Sequence, residues 1–216
     1  MIKCCIFDLD GTLLDTLKTI TYYVNRTIED EGFSPITLDE CRRFVGNGPK
    51  ELIERALKSK GYTDETGALG ILRKYRENYD SAPYYLTRPY DGVSDMLDAL
   101  RERGILTAVI SNKQNEAVVP SVKHFFGDRF ALAYGSREGV PLKPAPDAIY
   151  NMLDELGVRA DEVVYIGDSE VDIETGKAFG SAKTVGVSWG FRTADELIKK
   201  GADVIISSPK ELMLNI

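Results

Sequence analysis

A chain of 216 residues with 43% hydrophobic residues is long enough to fold around its own core without a structural metal or disulfide bonds. Its formal net charge of -7 gives it no general attraction for nucleic acid or for an anionic membrane surface, so we expect neither as a partner. An anionic substrate would have to be attracted locally, by a bound metal ion or by a well-placed lysine.

The three cysteines, Cys4, Cys5 and Cys41, show the spacing neither of a zinc site nor of a disulfide framework. Such cysteine usage is typical of a reducing compartment. The first apolar segment follows no basic leader, and no apolar run approaches the length of a membrane span. We therefore expect a cytoplasmic protein. No unusual apolar stripe marks a stable interface, which favours a monomer or a weak homo-oligomer.

Short apolar runs that predict β-strands alternate with amphipathic stretches that predict helices. The strands are predicted at 2–7, 105–110, 130–134, 163–166, 182–187 and 203–206, and helices of the same region at 93–103, 116–126, 146–156, 171–179 and 194–199. The strand runs are largely continuous, which is typical of a parallel sheet covered on both faces. The alternation predicts an α/β fold with a doubly wound, Rossmann-like parallel sheet.

The stretch from 16 to 80 breaks this rhythm, because it contains helical patterns and no convincing strand. Helices are predicted there at 17–31, 38–44, 50–60 and 65–78, with glycine-containing breaks between them. We therefore expect two domains. Residues 1–15 and 81–216 would form an α/β catalytic core, and residues 16–80 an inserted all-helical cap domain.

Polar residues follow several predicted strands, at the sheet edge where open parallel sheets bind their ligands. The set comprises Asp8, Asp10, Gly11 and Thr12 after the first strand, Ser111, Asn112 and Lys113 after the second, Lys143 beyond the third, and Asp168, Ser169 and Asp172 after the fourth. Clustered carboxylates repel one another unless a cation lies between them, and Mg²⁺ is common where phosphate is handled. The pattern predicts a magnesium site beside a lysine.

Four stretches resemble the four motifs of haloacid dehalogenase-superfamily phosphohydrolases. They are DLDGT at 8–12, the serine Ser111, the lysine of LKPAPDAI at 142–149, and GDSEVD at 167–172. The helical insert after the first motif resembles the helical (C1-type) cap of that superfamily. The stretch FVGNGPKELIERAL at 44–57 is similar to the caps of its phosphoglycolate phosphatase-like members.

The resemblance implies catalytic roles for four residues. Asp8 would attack phosphorus and form an aspartyl-phosphate. Asp10 would protonate the leaving oxygen and then take a proton from the hydrolytic water. Ser111 would donate a hydrogen bond to a phosphoryl oxygen, and Lys143 would neutralise the phosphoryl charge and steady the nucleophile.

The resemblance also implies how the ligands are held. Magnesium would bind the carboxylates of Asp8 and Asp168 and the backbone carbonyl of Asp10, with Asp172 supporting these ligands. Backbone N–H groups near Leu9, Asn112 and Lys113 would complete the phosphate site. The implied activity is magnesium-dependent hydrolysis of a small phosphorylated metabolite, with 2-phosphoglycolate favoured.

Other activities stay open at this point. Sugar-phosphate mutases similar to β-phosphoglucomutase share all four motifs, and a pyrophosphatase of the same superfamily is a further alternative. A signalling module phosphorylated on aspartate is the alternative from another class. Halide displacement and phosphonate cleavage are disfavoured, because the superfamily members that perform them lack an aspartate at the position of Asp10.

Two stretches, GDSEVD and SWGFR, have alternative interpretations. GDSEVD resembles the start of a calcium loop, but that loop needs glycine and glutamate where Ile173 and Phe179 stand. Trp189 and Phe191 of the stretch SWGFR are interpreted as packing residues near the sheet edge, and Arg192 is open to either interpretation.

Overall fold

The computed structural model describes residues Met1–Ile216, which form two compact units. The first consists of Met1–Asp15 and Pro89–Ile216, and the second of Thr16–Arg88. The helical unit therefore extends to Arg88, whereas the sequence places its end at 80. The reason is a non-local contact: the Thr19 hydroxyl donates to the carbonyl of Tyr85 at 2.6 Å and so holds the segment that follows the last helix of the unit.

The strands alternate with helices through most of the first unit. The strands are β1 (Cys4–Phe7), β2 (Leu14–Asp15), β3 (Arg88–Pro89), β4 (Leu106–Gln114), β5 (Leu132–Ser136), β6 (Val163–Gly167), β7 (Lys183–Val187) and β8 (Val204–Ile206). The helices of the whole chain are α1 (Leu17–Glu29), α2 (Leu38–Phe44), α3 (Pro49–Lys58), α4 (Glu65–Ser81), α5 (Val93–Glu102), α6 (Asn115–Phe126), α7 (Asp147–Leu156), α8 (Glu170–Ala178) and α9 (Ala194–Lys199). None of them combines the length and the apolar character needed to cross a lipid bilayer.

Six strands form one parallel sheet in the order β5-β4-β1-β6-β7-β8. Phe7 of β1 lies opposite Val109 of β4 on one side and Ile166 of β6 on the other. The chain order of the strands thus reverses at β1, which makes the carboxyl end of β1 the switch point where ligands bind in doubly wound sheets. The predicted fold class is confirmed.

Both faces of the sheet are buried, because successive side chains of a strand point to opposite sides. Cys5 and Phe7 of β1 belong to one buried hydrophobic cluster, and Cys4 and Ile6 belong to the other. This double burial explains why the strand runs are continuously apolar rather than alternating. It also holds the end of β1, and the residue that follows it, in a rigid frame.

The helical unit has its own core and its own capping. Tyr23 and Val24 of α1 are buried, and the ring of Tyr23 lies 5.3 Å from that of Tyr79 of α4. Thr37 caps α2, because its hydroxyl accepts from the Glu40 N–H and the Glu40 carboxylate accepts from the Thr37 N–H. The unit is therefore a packed helical body with its own contacts.

One strand differs from its predicted bounds in a way that bears on the site. The sequence places the end of the second main strand at 110, but β4 continues to Gln114. The register with β5 shifts between Ile110 and Gln114, which is the irregularity of a bulge. Ser111, Asn112 and Lys113 therefore lie in this irregular strand end rather than after it.

Candidate active site

Lys143 occupies the centre of the polar cluster at the sheet edge. Its ammonium group donates to Oδ1 of Asp8 at 2.7 Å and to Oδ1 of Asp172 at 2.7 Å. It also lies 3.2 Å from the carbonyl of Ile110 and 3.2 Å from the hydroxyl of Tyr165. One buried cation therefore links the residue after β1, the middle of β4 and the middle of β6 to the first turn of α8.

The backbone of Lys143 is held by a side chain of β4. Asn112 accepts from the Lys143 N–H at 2.8 Å and donates to the Lys143 carbonyl at 3.1 Å. The side-chain amide of Asn112 thus makes the two hydrogen bonds to the Lys143 backbone that a neighbouring strand would make. The sequence assigns Asn112 a backbone N–H near the phosphate, whereas the structure shows its side-chain amide placing the lysine.

Asp172 lies in the first turn of α8 and has both oxygens engaged. Oδ1 accepts from Lys143, and Oδ2 accepts from the hydroxyl of Ser169 at 2.6 Å and from its N–H at 3.1 Å. Ser169 and Asp172 form the reciprocal capping box of this helix. This capping box at the start of α8 thus fixes the Asp172 carboxylate, which faces Lys143.

Asp168 follows β6 and is fully buried. Its Oδ1 accepts from the hydroxyl of Thr12 at 2.8 Å, and its Oδ2 accepts from the backbone N–H of Phe191 at 2.7 Å. Two glycines make this packing possible. A Cβ on Gly11 would lie 2.3 Å from Oδ2 of Asp168, and a Cβ on Gly190 would lie 2.3 Å from its Cβ. Side chains at either position would displace the carboxylate.

Asp10 stands apart from the other carboxylates. Its Oδ1 accepts from the Lys113 ammonium at 3.2 Å, and the two side chains are only 16% and 15% exposed. The Lys113 backbone N–H donates to the Ser111 hydroxyl at 3.3 Å. Lys113 therefore joins the first-strand motif to the end of β4 through its side chain, a contact that the sequence does not predict.

Burial and mutual proximity shift the pKa values of the charged groups in the cluster. Burial raises the pKa of Asp8 to about 7, although Lys143 lowers it and Asp172 raises it further. Burial, together with the charges of Asp172 and Asp8, raises the pKa of Asp168 well above its usual range. Burial by itself lowers the pKa of Lys143, but Asp172 and Asp8 outweigh it and raise that pKa well above its usual value.

The carboxylates fit a hard divalent cation. The ligand oxygens of Asp8, Asp168 and Asp172 all lie within 4.8 Å of one another. Carboxylate oxygens are the ligands that Mg²⁺ prefers, and one buried ammonium does not neutralise three carboxylates. The side chain of Asp10 is not part of this group.

The structure brings the predicted residues together at one sheet edge and adds others. The additional contacts come from Tyr165, from the Phe191 backbone N–H, and from Trp189, whose indole N–H donates to the Thr12 carbonyl at 3.0 Å. The sequence predicts only packing for Trp189, so this hydrogen bond is a contact that the structure adds. The only sequence signal for this role is that SWGFR follows a strand whose end lies at the ligand-binding edge.

The family model described as haloacid dehalogenase-like hydrolase matches residues 5–187, which include every strand that contributes to the cluster. The chain belongs to this family. Over 98% of its length it is 30% identical to a phosphoglycolate phosphatase of Aquifex aeolicus (strain VF5), of which the match covers 95%. It is also 28% identical to an N-acetylmuramic acid 6-phosphate phosphatase of Pseudomonas aeruginosa, over 98% of this chain and 93% of the relative.

Solved structures of the haloacid dehalogenase-like family share the whole fold. A candidate phosphoglycolate phosphatase from Lactobacillus delbrueckii subsp. bulgaricus is 33% identical and superimposes with a TM-score of 0.88, over 99% of this chain and 98% of the other. The family and the phosphatase relatives identify this haloacid dehalogenase-like protein as a phosphoric monoester hydrolase.

Proposed function

We propose that this phosphatase hydrolyses a small phosphorylated metabolite with Mg²⁺, through a phosphoryl group carried on Asp8. The observation that carries the proposal is the position of Asp8. It directly follows β1 at the switch point, 2.7 Å from the buried ammonium of Lys143 and within 4.8 Å of two further carboxylates. A carboxylate held this way is oriented, poorly hydrated and next to a cation that attracts phosphate.

In the first half of the reaction, an Asp8 oxygen attacks phosphorus and the ester P–O bond breaks. The leaving oxygen takes a proton from the carboxyl group of Asp10. Lys143 bonds Oδ1 of Asp8 and so leaves Oδ2 for the attack, while its charge offsets that of the phosphoryl oxygens. Ser111 is assigned a hydrogen bond to one of those oxygens.

In the second half, Asp10, now ionised, takes a proton from a water molecule that attacks the same phosphorus. The bond between phosphorus and Asp8 breaks, so inorganic phosphate leaves and both aspartates return to their starting states. The contact with Lys113 fixes Oδ1 of Asp10, which leaves Oδ2 for the proton transfers. Backbone N–H groups near Leu9, Asn112 and Lys113 are assigned to the phosphate site.

Magnesium is assigned to the carboxylates of Asp8 and Asp168 and to the backbone carbonyl of Asp10, with Asp172 supporting them. When bound, it supplies positive charge that offsets the carboxylates and the substrate phosphate. Asp172 is assigned a supporting role because each of its oxygens already accepts two hydrogen bonds, Oδ1 from Lys143 and Tyr165 and Oδ2 from the hydroxyl and the N–H of Ser169.

For the substrate we favour 2-phosphoglycolate, on the ground that it names the activity of the Aquifex relative. N-acetylmuramic acid 6-phosphate is the second candidate, because a relative of nearly equal coverage is named for it. We assign the choice between them to the helical unit, Thr16–Arg88, acting as a helical cap.

For the localisation we favour the cytoplasm. The three cysteines, Cys4, Cys5 and Cys41, are all free and buried, which is compatible with a reducing compartment.

The test is phosphate release by purified protein from 2-phosphoglycolate, N-acetylmuramic acid 6-phosphate, β-glucose 1-phosphate and pyrophosphate, each with Mg²⁺ and with excess chelator. We expect magnesium-dependent release with the highest kcat/KM for 2-phosphoglycolate. Preference for another ester would change the substrate and leave the chemistry in place. Release from pyrophosphate alone, or a rearranged sugar phosphate without free phosphate, would replace the proposal by the pyrophosphatase or the mutase.

The matched variant is Asp8→Asn, which keeps the size of the side chain but has a poor nucleophile. We expect no turnover and no phosphorylated protein, whereas wild type quenched in acid during turnover should carry phosphate on Asp8. Turnover by pure Asp8→Asn protein would overturn the mechanism. A stable phosphorylated wild type without turnover would instead favour the signalling module.

A further inference from the structure

The loop that follows β7 covers the carboxylate of Asp168 without contributing a carboxylate of its own. Its backbone N–H at Phe191 donates to Oδ2 of Asp168 at 2.7 Å. Gly190 lies so close that a Cβ there would be 2.5 Å from the carbonyl oxygen of Gly11. The loop therefore lies directly against the turn after β1 as well as against Asp168.

A side chain of the same loop also binds that turn. The indole N–H of Trp189 donates to the Thr12 carbonyl at 3.0 Å, and the Trp189 ring packs against Tyr90 with 6.4 Å between centroids. The Tyr90 N–H in turn donates to the carbonyl of Leu13 at 3.1 Å. The carbonyls of two successive residues in the turn are thus bound by Trp189 and by the residue on which its ring packs.

These contacts close a ring of hydrogen bonds. Trp189 binds the Thr12 carbonyl, the Thr12 hydroxyl binds Oδ1 of Asp168, and Oδ2 of Asp168 accepts from Phe191, two residues after Trp189. Each oxygen of Asp168 receives one hydrogen bond and keeps lone pairs for a further ligand, since an ionised carboxylate offers about four acceptor sites. The ring fixes the plane of the carboxylate, and one oxygen of Asp168 lies within 4.8 Å of an oxygen of Asp8 and of an oxygen of Asp172.

We infer that Trp189 is a positioning residue, which holds Thr12 so that Thr12 and Phe191 together orient Asp168 for the divalent cation. The inference rests on the proposed magnesium site. Partners that orient a metal ligand typically change metal affinity by about 10- to 100-fold when they are lost. Trp189 acts through Thr12, so its removal should weaken the binding of magnesium rather than the chemistry at saturating magnesium.

The test compares Trp189→Phe with Ser188→Ala. Phenylalanine keeps an aromatic ring on Tyr90 and removes the indole N–H. The control removes a side-chain donor to a backbone carbonyl from the adjacent residue, because the Ser188 hydroxyl donates to the carbonyl of Ile206 at 3.3 Å rather than to Thr12 or Asp168. The Ser188 backbone N–H keeps its own bond to that carbonyl at 3.0 Å.

Calorimetric titration with Mg²⁺ in the absence of substrate gives a readout that does not depend on turnover. We expect the dissociation constant of Trp189→Phe to rise about tenfold or more, and that of Ser188→Ala to stay at the wild-type value. Kinetically, Trp189→Phe should need more magnesium for half-maximal rate and regain most of kcat when magnesium saturates. Since Trp189 is the only tryptophan of the chain, magnesium should also change wild-type fluorescence.

If Trp189→Phe unfolds, Thr12→Val tests the same ring from its other arm, because valine keeps the shape and removes the hydroxyl donor. Equal magnesium binding by wild type and by the folded ring variant would overturn this inference and leave the proposed function standing. Equal weakening in Ser188→Ala would overturn it too. If wild type binds no magnesium at all, the proposed magnesium site fails, and this inference fails with it.

Discussion

Lys143 and Asp172 lie 2.7 Å apart with side chains only 4% and 1% exposed, and Lys143 contacts Asp8 at the same distance. The side chain of Asp8 is 11% exposed, so little solvent can take the place of a missing partner in this ion triad. Removing the lysine charge leaves the carboxylates of Asp8 and Asp172 buried and unpaired. The free energy lost in this way exceeds the net stabilisation that the ion pairs provide. The lysine of the site is thus also a structural element.

Lys143→Met should therefore abolish activity and lower the free energy of unfolding by about 3–5 kcal/mol, the usual cost of breaking a buried ion pair. Urea denaturation followed by circular dichroism, in the presence of chelator, measures the effect. Lys200→Met is the matched control, because Lys200 pairs with Glu174 at 2.7 Å on the surface, where the two side chains are 48% and 44% exposed. Equal stability of the two variants would contradict the structural role of Lys143.

Asp10→Asn separates the two halves of the reaction. The amide oxygen can still accept from Lys113, but the side chain can neither give nor take a proton. We expect kcat to fall by about 10²- to 10⁴-fold, the usual contribution of a general acid–base group. With p-nitrophenyl phosphate, whose leaving group needs little protonation, a burst of p-nitrophenol should precede the slow steady state.

The burst is the decisive readout, because it shows that Asp8 is still phosphorylated while hydrolysis of that intermediate is slow. Asp91→Asn is the control for the loss of one carboxylate, because Asp91 is exposed. A steady-state rate of Asp10→Asn equal to that of the control would remove Asp10 from the reaction.

Gly190→Ala and Gly70→Ala should have opposite effects on stability. A Cβ on Gly190 meets Asp168 at 2.3 Å, so we expect lost activity and a destabilisation of about 1–3 kcal/mol, as for other overpacked sites. A Cβ on Gly70, inside α4, meets nothing within 4 Å. Alanine there should stabilise the protein by about 0.5–1 kcal/mol through helix propensity. Urea titration of both variants checks the pair, and a neutral Gly190→Ala would show that the loop can move away.

The cysteines should be unreactive while the protein is folded. Cys4, Cys5 and Cys41 are all 0% exposed, and burial raises the pKa of Cys4 to about 12 and that of Cys41 to about 11. A raised pKa keeps the thiol protonated at pH 8, where the thiolate is the reactive form. Ellman's reagent at pH 8 should label no cysteine in the native protein and all three in guanidinium chloride. Rapid labelling of the native protein would indicate local opening at β1 or α2.

The sequence was sufficient for the sheet and for most of the cluster, for a physical reason. A strand buried on both faces, such as β6, shows a continuous apolar run, and the residue after it is then placed at the sheet edge by topology alone. Asp8, Lys143 and Asp168 were predicted in this way. Their order along the chain carried the information, since each of these residues by itself is common at turns.

Contacts between distant residues were not predictable. Thr12 and Trp189 are 177 positions apart, and no local pattern shows that an indole N–H will reach that carbonyl. The same holds for the extension of the helical unit to Arg88, which depends on Thr19 and Tyr85 meeting across 66 positions. The periodicity of apolar residues indicates which face of a helix or strand is buried, whereas these contacts depend on the tertiary structure.

The α/β unit holds the two points where the chain leaves and re-enters it side by side. The Tyr90 N–H donates to the Leu13 carbonyl at 3.1 Å, so the exit near Asp15 and the return at Pro89 are neighbours regardless of what lies between them. The entropy of closing a loop grows only slowly with its length, by about 0.6 kcal/mol per doubling. Segments of other lengths can therefore stand between Asp15 and Pro89 without displacing the turn after β1.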